Sequence, residues 1–188
     1  MATAWYNVQN RYMVYLLFQC CILSVTPHTL GGESMAICCF CGHGDVSDAI
    51  RPALARLIEE HIKFFGITEF WVGNYGRFDR MSRSLVCSTK KNYHEVRLCL
   101  LLPYLPTGHM EDTTDCPDEI IVPSVLDNVP RRVAIPKLNN YMVDQSEYMI
   151  ACVSHISNGA YETLEYARKQ EKKGRIHITN IQSPHGTL

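Results

Sequence analysis

The chain has no surplus of positive charge, since 18 Lys and Arg stand against 19 Asp and Glu for a formal net charge of −1. Extended DNA or RNA binding is therefore not expected, because it needs many cations along a phosphate backbone. A small anionic ligand is not excluded. The apolar stretch from Tyr12 to Val25 (YMVYLLFQCCILSV) holds only 14 residues, with Gln19 in its middle, whereas a membrane helix needs roughly 20. No membrane span is expected. Arg11 is too slight a basic flank, and SVTPHTLGG too poor a cleavage site, for a signal peptide. Internal repeats and low-complexity tracts are also lacking, which excludes solenoids and linker-like segments.

Cysteine, by contrast, is plentiful, at nine residues in a chain of 188. Several lie inside apolar runs, the number is odd, and the chain is large for a disulfide scaffold, so free thiols in a reducing cytoplasm are the expectation. Cys38, Cys41 and His43 form a Cys-x-x-Cys-x-His string. Such a string suggests zinc or a redox pair, but Cys38 to Cys41 lie in the first expected strand and no second ligand pair sits elsewhere at a finger-like spacing, so no metal is expected.

With 46% hydrophobic and 20% charged residues, the composition suits one globular domain. Residues 1–34 read as an amino-terminal arm, poorly ordered or an appended helix, before a domain spanning 35–188. Met35 stands directly before the first strand, so the arm also fits an upstream extension of the reading frame, with amphipathic packing on the domain or on a membrane surface as the alternative. From Ala36 strand and helix patterns alternate, as in a parallel sheet covered on both faces. Strands are expected at Ala36–Cys41, Glu69–Val72, Val96–Leu102, Tyr148–Val153 and Arg175–Ile181, the last at a sheet edge. Helices are expected from Ser47 to Gly66, Asp79 to Lys91, Lys137 to Asp144 and Tyr161 to Lys173. Tyr104 to Pro136 reads as a long irregular excursion. The fold class is thus α/β, a Rossmann-like three-layer sandwich with a mostly parallel sheet of about five strands.

Three strand-to-helix turns combine glycine with polar side chains. They are Gly42-His43-Gly44-Asp45, the turn from Gly73 through Asn74, Gly76 and Phe78 to Asp79, and Ser154-His155-Ile156-Ser157-Asn158-Gly159-Ala160. In an open parallel sheet such turns share one edge, where ligands bind. Glycine lets backbone approach an anion, and helix-opening amides offer N–H donors with partial positive charge. His43 either donates to a ligand or satisfies its loop, and Asp79 either binds a ribose hydroxyl or caps its helix. Arg131 and Arg132 are candidates for a charge-assisted phosphate contact, or else a solvated pair.

Blocks in order along the chain carry a resemblance. CCFCGHGD at 38–45, FWVGNYGRFDRMS at 70–82, LLLPYLP at 100–106, DEIIVP at 118–123, PRRVAIPKLNNYMVDQSEYMIACV at 130–153 and NGAYETLEYARKQ at 158–170 resemble the SLOG superfamily of bacterial Rossmannoid proteins. Within that superfamily the chain looks most like the YpsA-like branch, in the same broad group as the DprA and LOG proteins. The resemblance implies a pocket for nucleotides or nucleotide-derived signals at these turns. It adds Asn139 and Thr163 to the ligand-binding set, and Glu162 or Glu165 as candidate catalytic residues of a LOG-type N-glycosidic hydrolase. Departures are visible: Gly44 stands where relatives carry arginine, and Leu138 and Asn140, not arginines, flank Asn139. The LOG signature survives only as Gly159, Thr163 and one of the two glutamates.

Without an obvious nucleophile, base pair or metal site, a non-catalytic module that senses or sequesters a small nucleotide ligand is the leading expectation. A phosphoribohydrolase acting on nucleotides is the alternative. A protein-interaction adaptor with a vestigial pocket is the third reading. No cofactor beyond the nucleotide-type ligand is expected. A homodimer through an exposed helix is open, with no patch assigned to it.

Overall fold

The computed structural model describes residues 36–105, 117–156 and 159–181. The expected arm, residues 106–116 of the expected excursion, and Ser157 and Asn158 of the third turn lie outside them. Among the described residues there are six strands: β1 (Ile37–Gly42), β2 (Glu69–Val72), β3 (Arg97–Leu101), β4 (Glu119–Ile121), β5 (Tyr148–Cys152) and β6 (His177–Asn180). Four helices accompany them: α1 (Arg51–Phe65), α2 (Arg77–Thr89), α3 (Arg131–Gln145) and α4 (Gly159–Glu171). All strands are parallel, in the spatial order β4-β3-β2-β1-β5-β6.

The sheet is Rossmann-like because its residues point alternately to two apolar layers. Cys38, Phe40, Phe70, Val72, Leu98 and Leu100 face one side, where Leu54 and Ile58 of α1 and Phe78 and Met81 of α2 cover them. Cys39, Cys41, Trp71, Cys99, Leu101 and Met149 face the other side, under Leu138 and Met142 of α3 and Leu164 and Ala167 of α4. This period of two is inherent to the pleat, and burial on both faces is why these strands read as unbroken apolar runs. Cys38 and Cys41 consequently lie on opposite faces and cannot ligate one ion together. Chain direction explains which helices go where. From β1 the chain steps outward through β2 and β3 to β4, then returns past β1 to β5, and right-handed crossovers in opposite directions land on opposite faces.

Local chemistry sets the ends of the elements. Ser47 caps a short 3-10 turn, Asp48–Ile50, with its Oγ accepting the Ala49 amide proton at 3.2 Å, and α1 follows directly. Gly66 ends α1 at a φ of 66°, a left-handed conformation that glycine adopts without strain.

The excursion departs from expectation. It holds β4, a sixth strand on the far edge beside β3, a 3-10 turn at Ser124–Leu126, and the start of α3 at Arg131 rather than Lys137. Two features hid these elements. Three residues, Glu-Ile-Ile, are too few to show a period, and Pro136, which reads as a boundary, sits inside α3. No helix among the described residues is long and apolar enough to cross a membrane.

Candidate functional site at the strand carboxyl ends

Strand order reverses between β1 and β5, so the connections leaving these two neighbours run in opposite directions and part at their carboxyl ends. Such a switch point is where an open parallel sheet leaves a crevice. The turns after β1, β2 and β5 meet there, because these strands are adjacent and parallel.

In the first turn the glycine serves packing. A Cβ on Gly42 would lie 2.4 Å from the Phe78 ring, so glycine alone allows that wholly buried ring to sit beneath the turn. Phe78 therefore supports the rim from the core, edge-on to Phe40, and offers a ligand no surface. Gly44 has open space around it. Its carbonyl accepts the Arg77 amide proton at 3.1 Å, and a Cβ on Gly76 would come within 3.1 Å of the Gly44 Cα. The first two turns are thus in backbone contact, and an ion pair between Arg77 and Asp48 at 2.6 Å spans them.

The second turn is held by its own acids and amides. Asp79 accepts the Tyr75 amide proton at 2.9 Å, which makes it a local turn-former in this arrangement. Burial raises its carboxyl above the usual range, against the Tyr75 hydrogen bond and the cations Arg83 and Arg80, which lower it. Gly73 leaves room for this carboxylate, whose Oδ2 would be 3.0 Å from an added Cβ. Asn74 accepts from Arg83 at 3.0 Å. Arg83 is buried, and sequence reasoning passed over it. Its place one turn after Asp79 on the apolar side of α2 was the available signal.

The third turn is fastened from two sides. His43 Nε2 accepts the amide protons of Ser154 at 3.1 Å and His155 at 3.4 Å, while the His43 amide donates to the Cys152 carbonyl at 3.2 Å. From β6, Asn180 accepts the Val153 amide proton and donates to the Val153 carbonyl, both at 3.1 Å. Ser154 is exposed, its Oγ 3.2 Å from His155 Nδ1. Asn180 was not singled out from sequence, and His155 was named only as a member of its turn; an asparagine at a strand end carries no signal that it clamps a turn 27 positions away.

On the α3–α4 side, Asn139 donates to Thr163 Oγ1 at 3.2 Å, and Thr163 donates to the Gly159 carbonyl at 2.7 Å. The Ala160 carbonyl accepts from Cys41 Sγ at 3.4 Å. Asn139 and Thr163 therefore tie α3 to the first turn of α4. Nothing lies within 4 Å of a Cβ on Gly159. A surface groove of about 340 Å³ runs between the two helices, lined by Pro136, Asn140, Gly159, Glu162, Thr163 and Glu165 among others. Glu162 is exposed and Glu165 pairs with Arg168 at 2.6 Å.

Arg131 and Arg132 open α3, both exposed. No acidic residue accompanies them in that first turn, and no side chain caps it. Cations at a helix start oppose the macrodipole, so this placement costs stability and concentrates positive potential at the rim. Arg131 lies over the Tyr104 ring, 5.0 Å from its centroid. Gly76 opens α2 equally without a side-chain cap. No protein-family model and no curated protein sequence matches the chain.

Proposed function

We propose that the chain binds a phosphate-bearing, nucleotide-derived small molecule at the rim around the β1–β5 switch point, as a sensing or sequestering module. The observation that carries this reading is the convergence of three backbone-rich turns on adjacent parallel strands, beside helix starts that lack side-chain caps. Helix-opening amides favour anions. The two arginines in the first turn of α3 strengthen the same preference. A locally unfavourable charge arrangement is expected chiefly at a functional site. The SLOG-like order of sequence blocks agrees with a nucleotide as the anion carrier. Gly159 belongs both to the third connection and to the α3–α4 groove, so the groove offers room for the rest of such a ligand.

Calorimetry against nucleoside phosphates, ADP-ribose species and cyclic dinucleotides is the direct test. Binding should weaken at least about tenfold in an Arg131→Glu, Arg132→Glu double variant, the scale of one lost charge-assisted contact. If no member of the panel binds, the reading fails.

One observation favours a hydrolytic second reading: Glu162 and Glu165 both line the groove that Gly159 borders. A nucleotide N-glycosidase would release free base, and Glu162→Gln or Glu165→Gln would abolish that release. Absence of free base across the panel would remove this alternative.

A further inference from the structure

The side chain of His43 is buried at the switch point, with the residue 3% exposed and its ring stacked on that of His155 at 3.9 Å and 13°. Its Nε2 takes two amide protons, from Ser154 at 3.1 Å and His155 at 3.4 Å. An imidazole nitrogen that accepts has an unshared pair, so in this arrangement the ring is neutral and Nδ1 carries the proton. Two successive amides aimed at one acceptor form a backbone concavity of the kind that receives an anion oxygen. Here the imidazole nitrogen sits where such an oxygen would be.

We infer that His43 is a proton-operated latch on the turn after β5: neutral, it closes the two-amide concavity; protonated, it yields the amides to an anionic oxygen of the ligand. The inference rests on the anion-binding reading above and adds how that site is controlled. A protonated Nε2–H pointed at two N–H donors is repulsive, so a charged ring and a closed turn are incompatible. With an anion oxygen placed between them, all three groups donate to it and the imidazolium adds charge to the contact. Ser154, His155 and Ile156 are exposed, so moving these three residues outward gives up little buried surface. Each ligand bound by this route brings one proton from solvent onto Nε2.

Among the described residues, the titratable and charged groups on the segments around the ring are His155 in the turn, Cys152 at the end of β5, Asp45 beyond Gly44, and Arg77 and Asp79 on α2. Burial holds the Cys152 thiol up at about 11, so it stays neutral. Asp79 is engaged by the Tyr75 amide.

Residue-resolved amide hydrogen exchange on the unliganded full chain tests the latch. As pH falls from about 8 to about 4, the Ser154 and His155 amides should lose about tenfold or more of their protection, beyond intrinsic exchange chemistry. His43→Gln supplies an acceptor oxygen that does not titrate in this range, so its protection should stay level. His155→Phe keeps a stacked ring without a titrating group and should retain the fall seen in the wild type. Protection independent of pH in the wild type, or falling equally in the Gln variant, overturns the inference. Inorganic phosphate is the probe for the open form: it should move the NMR titration of the His43 ring upward, and a titration indifferent to phosphate overturns the anion half. A nucleotide panel that fails while the latch titrates as described would sink only the nucleotide reading.

Discussion

Two histidines are buried at opposite ends of this sheet, and they are buried in different ways. His43, at the strand carboxyl ends, spends its Nε2 on two backbone amides of a neighbouring turn. His61, in the last turn of α1 near the strand starts, is 1% exposed and packed edge-on against Phe65 at 5.2 Å and Tyr148 at 6.0 Å. Its Nδ1 donates to the Leu57 carbonyl at 2.7 Å, and its Nε2 has no hydrogen-bond partner among the described residues. The rim thus absorbs a polar group because its turns leave amides to be satisfied. At the opposite end the elements complete their own hydrogen bonds, and a buried nitrogen is simply desolvated. One end is equipped to exchange partners, the other to exclude water.

The comparison is broken most forcefully beneath the rim. Phe78→Ala removes the ring on which Gly42 rests and should cost about 3–5 kcal/mol in denaturant unfolding, with the rim turns losing amide protection together with the core. A loss under about 1 kcal/mol would mean that the rim does not stand on the core.

At the other end, burial lowers His61 from its ordinary value to about 4. The folded state therefore prefers the neutral ring, and the unfolded chain binds the proton first as pH falls. This contribution to stability is complete above about pH 6.5 and is lost between about pH 6.5 and pH 4, with an upper size of roughly 3 kcal/mol. Unfolding free energies measured across that window should show the loss, and His61→Leu should flatten it. An unchanged slope in the variant would assign the effect elsewhere.

Smaller effects separate the glycines. Gly42→Ala drives a Cβ into the buried Phe78 ring and should destabilise by about 1–3 kcal/mol, whereas Gly44→Ala, with nothing within 4 Å of the new methyl, should change thermal stability far less. Equal losses at the two positions would contradict this contrast between a filled and an open site. Least of all, Arg77→Ala breaks an exposed ion pair with Asp48 and should cost under about 1 kcal/mol, so a larger loss would show that this bridge holds the first two turns together.

Much of the architecture was legible because it is local and repetitive. Strands β1, β2, β3 and β5 are short runs buried on both faces, and their apolar composition announces this whatever the surroundings. The helical spacing of Leu54, Leu57, Ile58 and Ile62 does the same for α1. β4 was not legible, since three residues closed by proline carry no period and become a strand only by pairing with β3. The site divides similarly. Glycine-bearing turns at strand ends stand out in the sequence, yet what each residue does there depends on partners far along the chain. Phe78 read as part of a turn and lies in the core. Asp79 engages its own turn, Arg83 and Asn180 were passed over, and His155 was given no role of its own, because their hydrogen bonds and stacking are made only after the strands align.

By itself the sequence determined a parallel α/β sheet with polar, glycine-bearing corners after three strands, because hydrophobic period and backbone permissiveness are properties of short segments. Tertiary structure alone decided that β1 and β5 lie side by side with the strand order reversing between them, and so that His43 meets amides 111 and 112 positions away. Those contacts depend on chain topology, and no local propensity encodes which distant turn an imidazole nitrogen will find.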